Sequence, residues 1–495
     1  MAKGNCLICH VTSPVCGNCK LVSYCTHHKS AHIREDYCFP FTIQQNSDVG
    51  RHYVAVCDIQ PMELIVTEQA VSTGPYTKSI PQCLGCCRTS CLSYLCPGCR
   101  FPLCQVECAE GQHMVECKLF SKAGFKAKIE NLTRESPCYA AIAVIRLFYL
   151  RDSNPSAFDQ LMKFEHHKER RRLEDLQLTQ YHTKYVVDFL IKVCKLKVSA
   201  SEIFQVLGAM FTNSLDIELP KGYGRENGFY PTYAYINHSC RSNTVTVRFP
   251  DKHIEVRAQT LIRKGEEIST QYLDSIKPTF IRRPMLEKKW LFECNCARCT
   301  DPTEGGTYLS ALLCRTGKCG GAVLPLDPTD GSSEWRCRKC NTEIDTSLVI
   351  KIVTSISSQI DNPSPGVQPI YFYEKLISLY SNILHPSHYL NYQMKERLSI
   401  LYGNIPGFLL KSMTRPQLDR KIQVCLEVLD VQNKLYPGHS SIKIKILGEL
   451  NKTRLCTVKR DVDHGILLRV CYENILRSEE DLKKYLQLYK TKFFN

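Results

Sequence analysis

Asn237-His238-Ser239-Cys240 is the stretch from which the chain is best read. Gly228-Phe229-Tyr230-Pro231 stands ahead of it. Behind it come Gly265-Glu266-Glu267-Ile268-Ser269-Thr270-Gln271-Tyr272-Leu273-Asp274 and then Phe292-Glu293-Cys294-x-Cys296-x₂-Cys299. Between these, Val245, Val247 and Phe249 alternate, Pro250-Asp251 marks a turn, and Ile254 and Val256 resume the alternation. That pattern predicts strands over 228–273. A second β-like stretch runs from Gly50 to Ile59 and, after a turn at Pro61, through Glu63-Leu64-Ile65-Val66. Two long regions read as helical, about 119–215 and 346–492. Their expected apolar stripes are Ile142/Ile145/Tyr149, Leu376/Leu379/Tyr380/Ile383 and Leu418/Ile422/Cys425/Leu426/Leu429. Ser478-x-x-Asp481 reads as a capping box. There is no repeat and no low-complexity segment.

The chain holds 29 cysteines, and Cys-x₂-Cys recurs at 6/9, 16/19, 83/86, 96/99, 296/299 and 337/340. Such pairs, closed by later Cys and His, suit tetrahedral zinc. In 83–117 the gaps fit two interleaved sites, Cys83/Cys86/Cys104/Cys108 and Cys96/Cys99/His113/Cys117. The stretch 6–38 has the same order with fewer cysteines. Its expected sites are Cys6/Cys9/Cys25/His28, with His27 as the alternative to His28, and Cys16/Cys19/His32/Cys38; binding of one metal instead of two stays open. Cys314, Cys319, Cys337 and Cys340 frame a zinc ribbon. Segments this short cannot build an apolar core, so metal must supply their folding energy.

The formal charge of +15 invites a nucleic-acid reading, but it counts every thiol as neutral. Six zinc sites, three with four thiolates and three with three, would lower it by nine, to about +6. That balance argues against nucleic acid as a primary partner. The run Lys168-Glu169-Arg170-Arg171-Arg172 reads as a solvated helix face. No signal-peptide pattern precedes Cys6, and the apolar stretch 139–150 is too short to span a bilayer and contains Arg146. A reducing compartment, nucleus or cytoplasm, is expected, where clustered cysteines are ligands more often than disulfides. At 495 residues the length predicts roughly three domains.

Taken singly, Tyr272, His238 and Phe292 read as core residues. Taken in order, the motifs closely resemble the SET domain with its Cys-x-Cys-x₂-Cys post-SET tail, and 83–117 resembles the MYND zinc finger. Together they resemble the SET-and-MYND protein-lysine methyltransferase family. The extra N-terminal finger and Gly50-Arg51-His52-Tyr53 look like its arthropod SmydA branch. The resemblance implies an α+β multidomain fold. Its expected parts are an N-terminal MYND-like finger (1–40), a SET N-terminal part (41–82), an inserted MYND finger (83–117), a helical SET insert (118–227), the SET core (228–280), post-SET (281–300), a zinc ribbon (301–345) and a helical C-terminal lobe (346–495). The lobe matches only through His385-Pro386-x-His388-Tyr389 and Leu435-x-Pro437-Gly438.

The implied function is methyl transfer from S-adenosylmethionine to a lysine of a histone or non-histone protein, in chromatin and transcriptional regulation, by a monomer with no membrane contact. Tyr272 is the implied catalytic tyrosine beside the transferring methyl. Asn237 and His238 would hold the cofactor through side chain and backbone. The backbone of Gly50, Arg51, His52 and Tyr53 would line it, Gly50 allowing close approach. Phe292 would stack on the adenine, and Asn213-Ser214 would border cofactor and lysine. Cys240 would join Cys294, Cys296 and Cys299 around a structural zinc that pins the post-SET tail. The sequence departs from the family where Leu215 replaces Phe, where Cys240-Arg241-Ser242-Asn243 replaces Cys-x-Pro-Asn, and where Tyr233 and Tyr235 are added near the channel. The alternative is a non-catalytic adaptor whose fingers hold proline-rich partners.

Overall fold

The computed structural model describes residues 3–5, 12–14, 25–27, 39–89, 92–217, 219–363, 366–438 and 440–463. The ligands expected at Cys6, Cys9, Cys16, Cys19, His28, His32 and Cys38 lie outside these residues, as does Ser478-x-x-Asp481.

Three small sheets form the β-rich centre. In the first, Asn237–His238 runs parallel to Glu267–Thr270, which pairs antiparallel with Gly50–Ala55 and through it with Phe41–Asn46. The second joins Thr244–Arg248, His253–Ala258 and Leu64–Gln69. The third joins Ser72–Pro75, Glu226–Phe229 and Ser214–Ile217. The hairpin expected around Pro250-Asp251 is present, and Ile254, Val256 and Ala258 point alternately into the core. Sequence-distant strands thus meet: the first sheet sets Gly50–Ala55 beside the strand that leads into Tyr272.

The helical insert contains Ile142–Ser153, Pro155–Lys163, Lys168–Glu174, Leu176–His182 and Ala200–Asn213, with two π-helical turns over Thr183–Val187 and Phe189–Val193. The expected Ile142/Ile145/Tyr149 stripe holds at its first two positions, but Tyr149 is exposed. This helix packs on Ser72–Pro75, Met114–Lys122, Pro155–Lys163 and Ala200–Asn213, so it is buried on most sides and carries no single stripe.

Arg146, which interrupts that apolar helix, is almost wholly buried. Its guanidinium donates to Glu116 at 2.6 and 3.0 Å and to the carbonyls of Thr73 and Leu84. One cation thereby joins the second finger to the third sheet. Arg146→Met should destabilise the fold by about 3–5 kcal/mol, because Glu116 is left buried without a counter-charge. Urea unfolding would measure this, and adding Glu116→Gln should recover part of the loss.

Beyond the β-rich centre, four short strands between Leu312 and Ile344 build the ribbon. Among the described residues five helices follow, Thr346–Asp361, Pro369–Leu379, Tyr389–Leu401, Arg415–Leu435 and Ser441–Asp463. Leu376, Tyr380, Leu418, Cys425 and Leu429 are buried as expected, whereas Leu379 and Leu426 are exposed. In both misses the inward face is turned by one position, toward Tyr373 in one helix and Lys421 and Val424 in the other. Lys421 is itself buried against Glu449 and the Tyr402 carbonyl. The lobe touches the β-rich centre where Tyr436 donates to Asp274, two residues beyond Tyr272. No helix among the described residues is long and apolar enough to cross a membrane.

Candidate active site and its zinc frame

Tyr272 leaves the strand Glu267–Thr270 and enters a loop. Its hydroxyl donates to the Ile236 carbonyl at 2.8 Å, and its backbone N–H donates to His238 Nδ1 at 3.0 Å. His238 Nδ1 is therefore unprotonated, and Nε2–H faces Cys240 Sγ at 3.2 Å. Burial pushes the imidazole down to about 4, so it is neutral. Asn237 and His238 are expected to hold the cofactor through side chain and backbone; both ring nitrogens of His238 are occupied within the protein, tying the tyrosine loop to Cys240, which leaves its backbone for a ligand. Asn237 donates to the Val49 carbonyl through Nδ2, leaving its amide oxygen available.

A cavity of about 60 Å³ lies against Tyr272, lined also by Asn213, Ser214, Tyr233, Gln271 and Trp290. Asn213 and Ser214 therefore border the channel, and Asn213 Nδ2 holds the carbonyls of Glu165 and Ala209. The two added aromatics part company. Tyr233 narrows the cavity, whereas Tyr235 points away and packs against Phe164, Tyr53 and Arg51. Trp290, whose ring centroid lies 5.2 Å from that of Tyr272, was not singled out in the sequence. Its position two residues before Phe292 was the one available signal.

Behind Tyr233 sits Glu68, also missed. This buried carboxylate accepts the amides of Thr232 at 2.8 Å and Tyr233 at 2.9 Å, and burial raises it to about 7. Tyr53 donates to the Thr232 carbonyl from the other side. The wall of the cavity is thus clamped by two strands almost two hundred residues away in sequence.

At the start of the strand Gly50–Ala55, Gly50 has φ +69, and a Cβ there would meet nothing within 4 Å. The glycine serves the left-handed turn rather than a close approach within the protein. Arg51 reaches the Lys163 carbonyl at 2.6 Å, His52 is buried with Nδ1 near the Gly50 carbonyl, and the Tyr53 ring lies in the core. Phe292 is half-buried, with its ring centroid 6.0 Å from that of His238.

Four thiol clusters stand among the described residues, and the one at Cys240 adjoins this site. Tetrahedral zinc with Zn–S near 2.3 Å places its sulfurs about 3.8 Å apart. Cys240 lies 4.0 Å from Cys294 and 3.5 Å from Cys299, and Cys296 completes the set. Cys314–Cys340 and Cys319–Cys337 are 3.5 and 3.7 Å apart. Cys96–Cys117 and Cys99–His113 Nε2 are both 3.5 Å apart. These three sets fit zinc. In the fourth, Cys83, Cys86 and Cys104 converge, with Cys86–Cys104 at 3.6 Å. Cys108 stands outside their tight set, although its thiol interacts with those of Cys83 and Cys86. Gly85 allows the approach, since a Cβ there would meet the Cys108 carbonyl at 2.4 Å. Cys25, the one described ligand of the first finger, is half-buried.

Partners outside the ligand sets orient them. His113 Nδ1 faces Glu116 at 3.1 Å, leaving Nε2 for metal. Arg282 sends Nε to Cys240 Sγ at 3.2 Å and Nη2 toward Cys299 Sγ, offsetting thiolate charge, and its other arm pairs with buried Glu304.

Residues 50–273 match the SET domain family. The SET domain-containing protein SmydA-8, isoform A, of Drosophila melanogaster is 28% identical over 83% of this chain and 88% of its own length. The histone-lysine N-methyltransferase ASHR1 of Arabidopsis thaliana is 24% identical over 79% and 81%. The histone-lysine N-methyltransferase SMYD3 of Mus musculus is 34% identical, over 22% of this chain and 25% of its own. The Asn237–Cys240 segment and the strands around it lie within a SET domain, and the post-SET cysteines follow it in sequence. Over most of its length the chain is similar to SET domain-containing proteins of the SmydA branch.

Proposed function

We propose that this protein transfers a methyl group from S-adenosylmethionine to the ε-amine of a lysine in a protein substrate. The supporting observation is Tyr272, held at the wall of a narrow cavity by the Ile236 carbonyl and His238. S-adenosylmethionine supplies an electrophilic sulfonium methyl: the N–C bond forms as the C–S bond breaks, and the amine loses one proton to solvent. The residues supply orientation and a dry path. Asn237, the 50–53 backbone and Phe292 would hold the cofactor. The Tyr272 hydroxyl gives its proton to Ile236, so its lone pairs are free toward the cavity, and burial keeps the phenol neutral. Tyr233 and Trp290 exclude water, and the cations Lys289 and Arg248 favour the neutral amine that transfer requires.

The eight cysteines outside the six proposed zinc sets, Cys57, Cys87, Cys91, Cys138, Cys194, Cys425, Cys456 and Cys471, suit a reducing compartment, so substrates are sought among nuclear or cytoplasmic proteins. One observation favours the adaptor alternative: Tyr233 leaves little room for a lysine stem. Calorimetric titration of the zinc-loaded chain decides between them. S-adenosylmethionine should bind at one site with a roughly micromolar Kd. Absence of binding would leave the adaptor.

A further inference from the structure

Beside the narrow cavity opens a cleft of about 560 Å³, which shares Lys289 and Trp290 with it. Its floor is apolar. Leu178 comes from one helix of the insert, Phe204, Leu207 and Phe211 from one face of Ala200–Asn213, and Met285 from Thr279–Trp290.

The walls are basic. Lys168, Arg171, Arg172, Lys288 and Lys289 line the cleft, and Arg248 joins Lys289 in the cavity behind it. Against these six cations stand three carboxylates, Glu174 and Asp175 in the cleft and Asp216 in the cavity. The run 168–172 is thus not simply a solvated face: Arg171 turns inward and donates to Thr212 and to the Lys289 carbonyl.

Three donors on these walls are buried without an acceptor: Arg171 Nε, Arg248 Nε and Gln271 Nε2. Buried donors normally find partners, so acceptors arriving with a ligand would complete them. Burial also lowers Arg171 to about 10 and holds Lys289 below the usual lysine range, the mark of cations that have lost water without full pairing.

We propose that this cleft selects the substrate, taking a protein segment in which Asp or Glu flanks the target lysine and an apolar side chain seats on the Phe204–Phe211 face. The assignment rests on the lysine-transfer reading and narrows its substrate class. Carboxylates would meet the unpartnered donors and the excess positive charge, and the apolar anchor would supply contact area. A strongly basic segment, such as a histone tail, would meet like charge on both walls.

Anisotropy with fluorescein-labelled peptides of about a dozen residues tests this on the zinc-loaded full chain, with S-adenosylhomocysteine present to prevent turnover. Each peptide has a central lysine and one leucine; one has Asp and Glu flanks, the other Lys and Arg. The acidic peptide should bind at least about tenfold tighter at about 0.05 M salt, and the gap should shrink at about 0.5 M. Arg172→Glu with Lys288→Glu, both in the cleft wall and neither lining the Tyr272 cavity, should remove that preference without changing S-adenosylhomocysteine affinity or Tm. Equal binding, tighter binding of the basic peptide, or binding of neither overturns the proposal. Failure of the transfer reading shows elsewhere, as loss of S-adenosylmethionine binding or of methyl transfer by the unaltered chain.

Discussion

Tyr272→Phe should lower kcat for methyl transfer by roughly 10²–10³-fold while S-adenosylmethionine affinity and Tm stay close to those of the unaltered chain. The substitution removes one oxygen and no ring. The ring contacts to His238, Trp290 and Phe292 survive, so the cavity keeps its shape. What disappears is the polar atom placed by the Ile236 carbonyl at the wall where the methyl must pass. Removing one oriented polar group from a water-poor, preorganised site typically costs this much because nothing reorganises to replace it. Scintillation counting of tritiated methyl transfer gives the rate, and calorimetry gives the affinity. Undiminished turnover would take Tyr272 out of the mechanism.

Cys240→Ser should abolish methyl transfer and remove about one zinc per chain. Structural zinc contributes on the order of 10–16 kcal/mol in small metal-folded units, far more than the local apolar cluster of Leu286 and Trp290 can offer. Without Cys240 the post-SET cysteines lose their link to Asn237–His238, His238 Nε2 loses its partner, and the Tyr272 amide loses a fixed acceptor. Fluorescence can follow this, because the chain has two tryptophans and each stands beside a thiol cluster, Trp290 near Cys294 and Trp335 in the ribbon. In a Trp335→Phe background, Cys240→Ser should red-shift the Trp290 emission and halt transfer together. An unshifted spectrum with full zinc content would show that the tail holds without Cys240.

Much of the site was legible because its signals are local or carried by fixed spacing. Metal ligands announce themselves by residue type and gap, so three of the thiol sets assemble as read. Cys108 falls outside the tight set of Cys83, Cys86 and Cys104, and the expected partners of Cys25 lie outside the described residues. The helical stripes were legible in period but not in phase. Tyr149 and Leu426 turned outward because their helices pack against neighbours on more than one side, and periodicity cannot say which side wins; Leu379 lies off the face that buries Tyr373, Leu376 and Tyr380. Glu68, Arg146 and Arg282 were invisible as functional supports. Their partners lie 164, 30 and 42 residues away, and the neighbouring sequence carries no mark of a partner that distant.

The sequence by itself determined the SET-type motifs and the cysteine clusters able to hold zinc, since Asn237-His238-Ser239-Cys240, Tyr272 and the cysteine spacings specify which atoms are present and in what order. Only the tertiary structure decided how those atoms are used. It directed both nitrogens of His238 inward, set Tyr233 in the cavity and Tyr235 out of it, and gathered five cations around the apolar floor of the neighbouring cleft. The physical reason is distance along the chain. Ligand spacing is local covalent geometry, whereas a cavity wall is made by strands and helices that meet only when the chain folds.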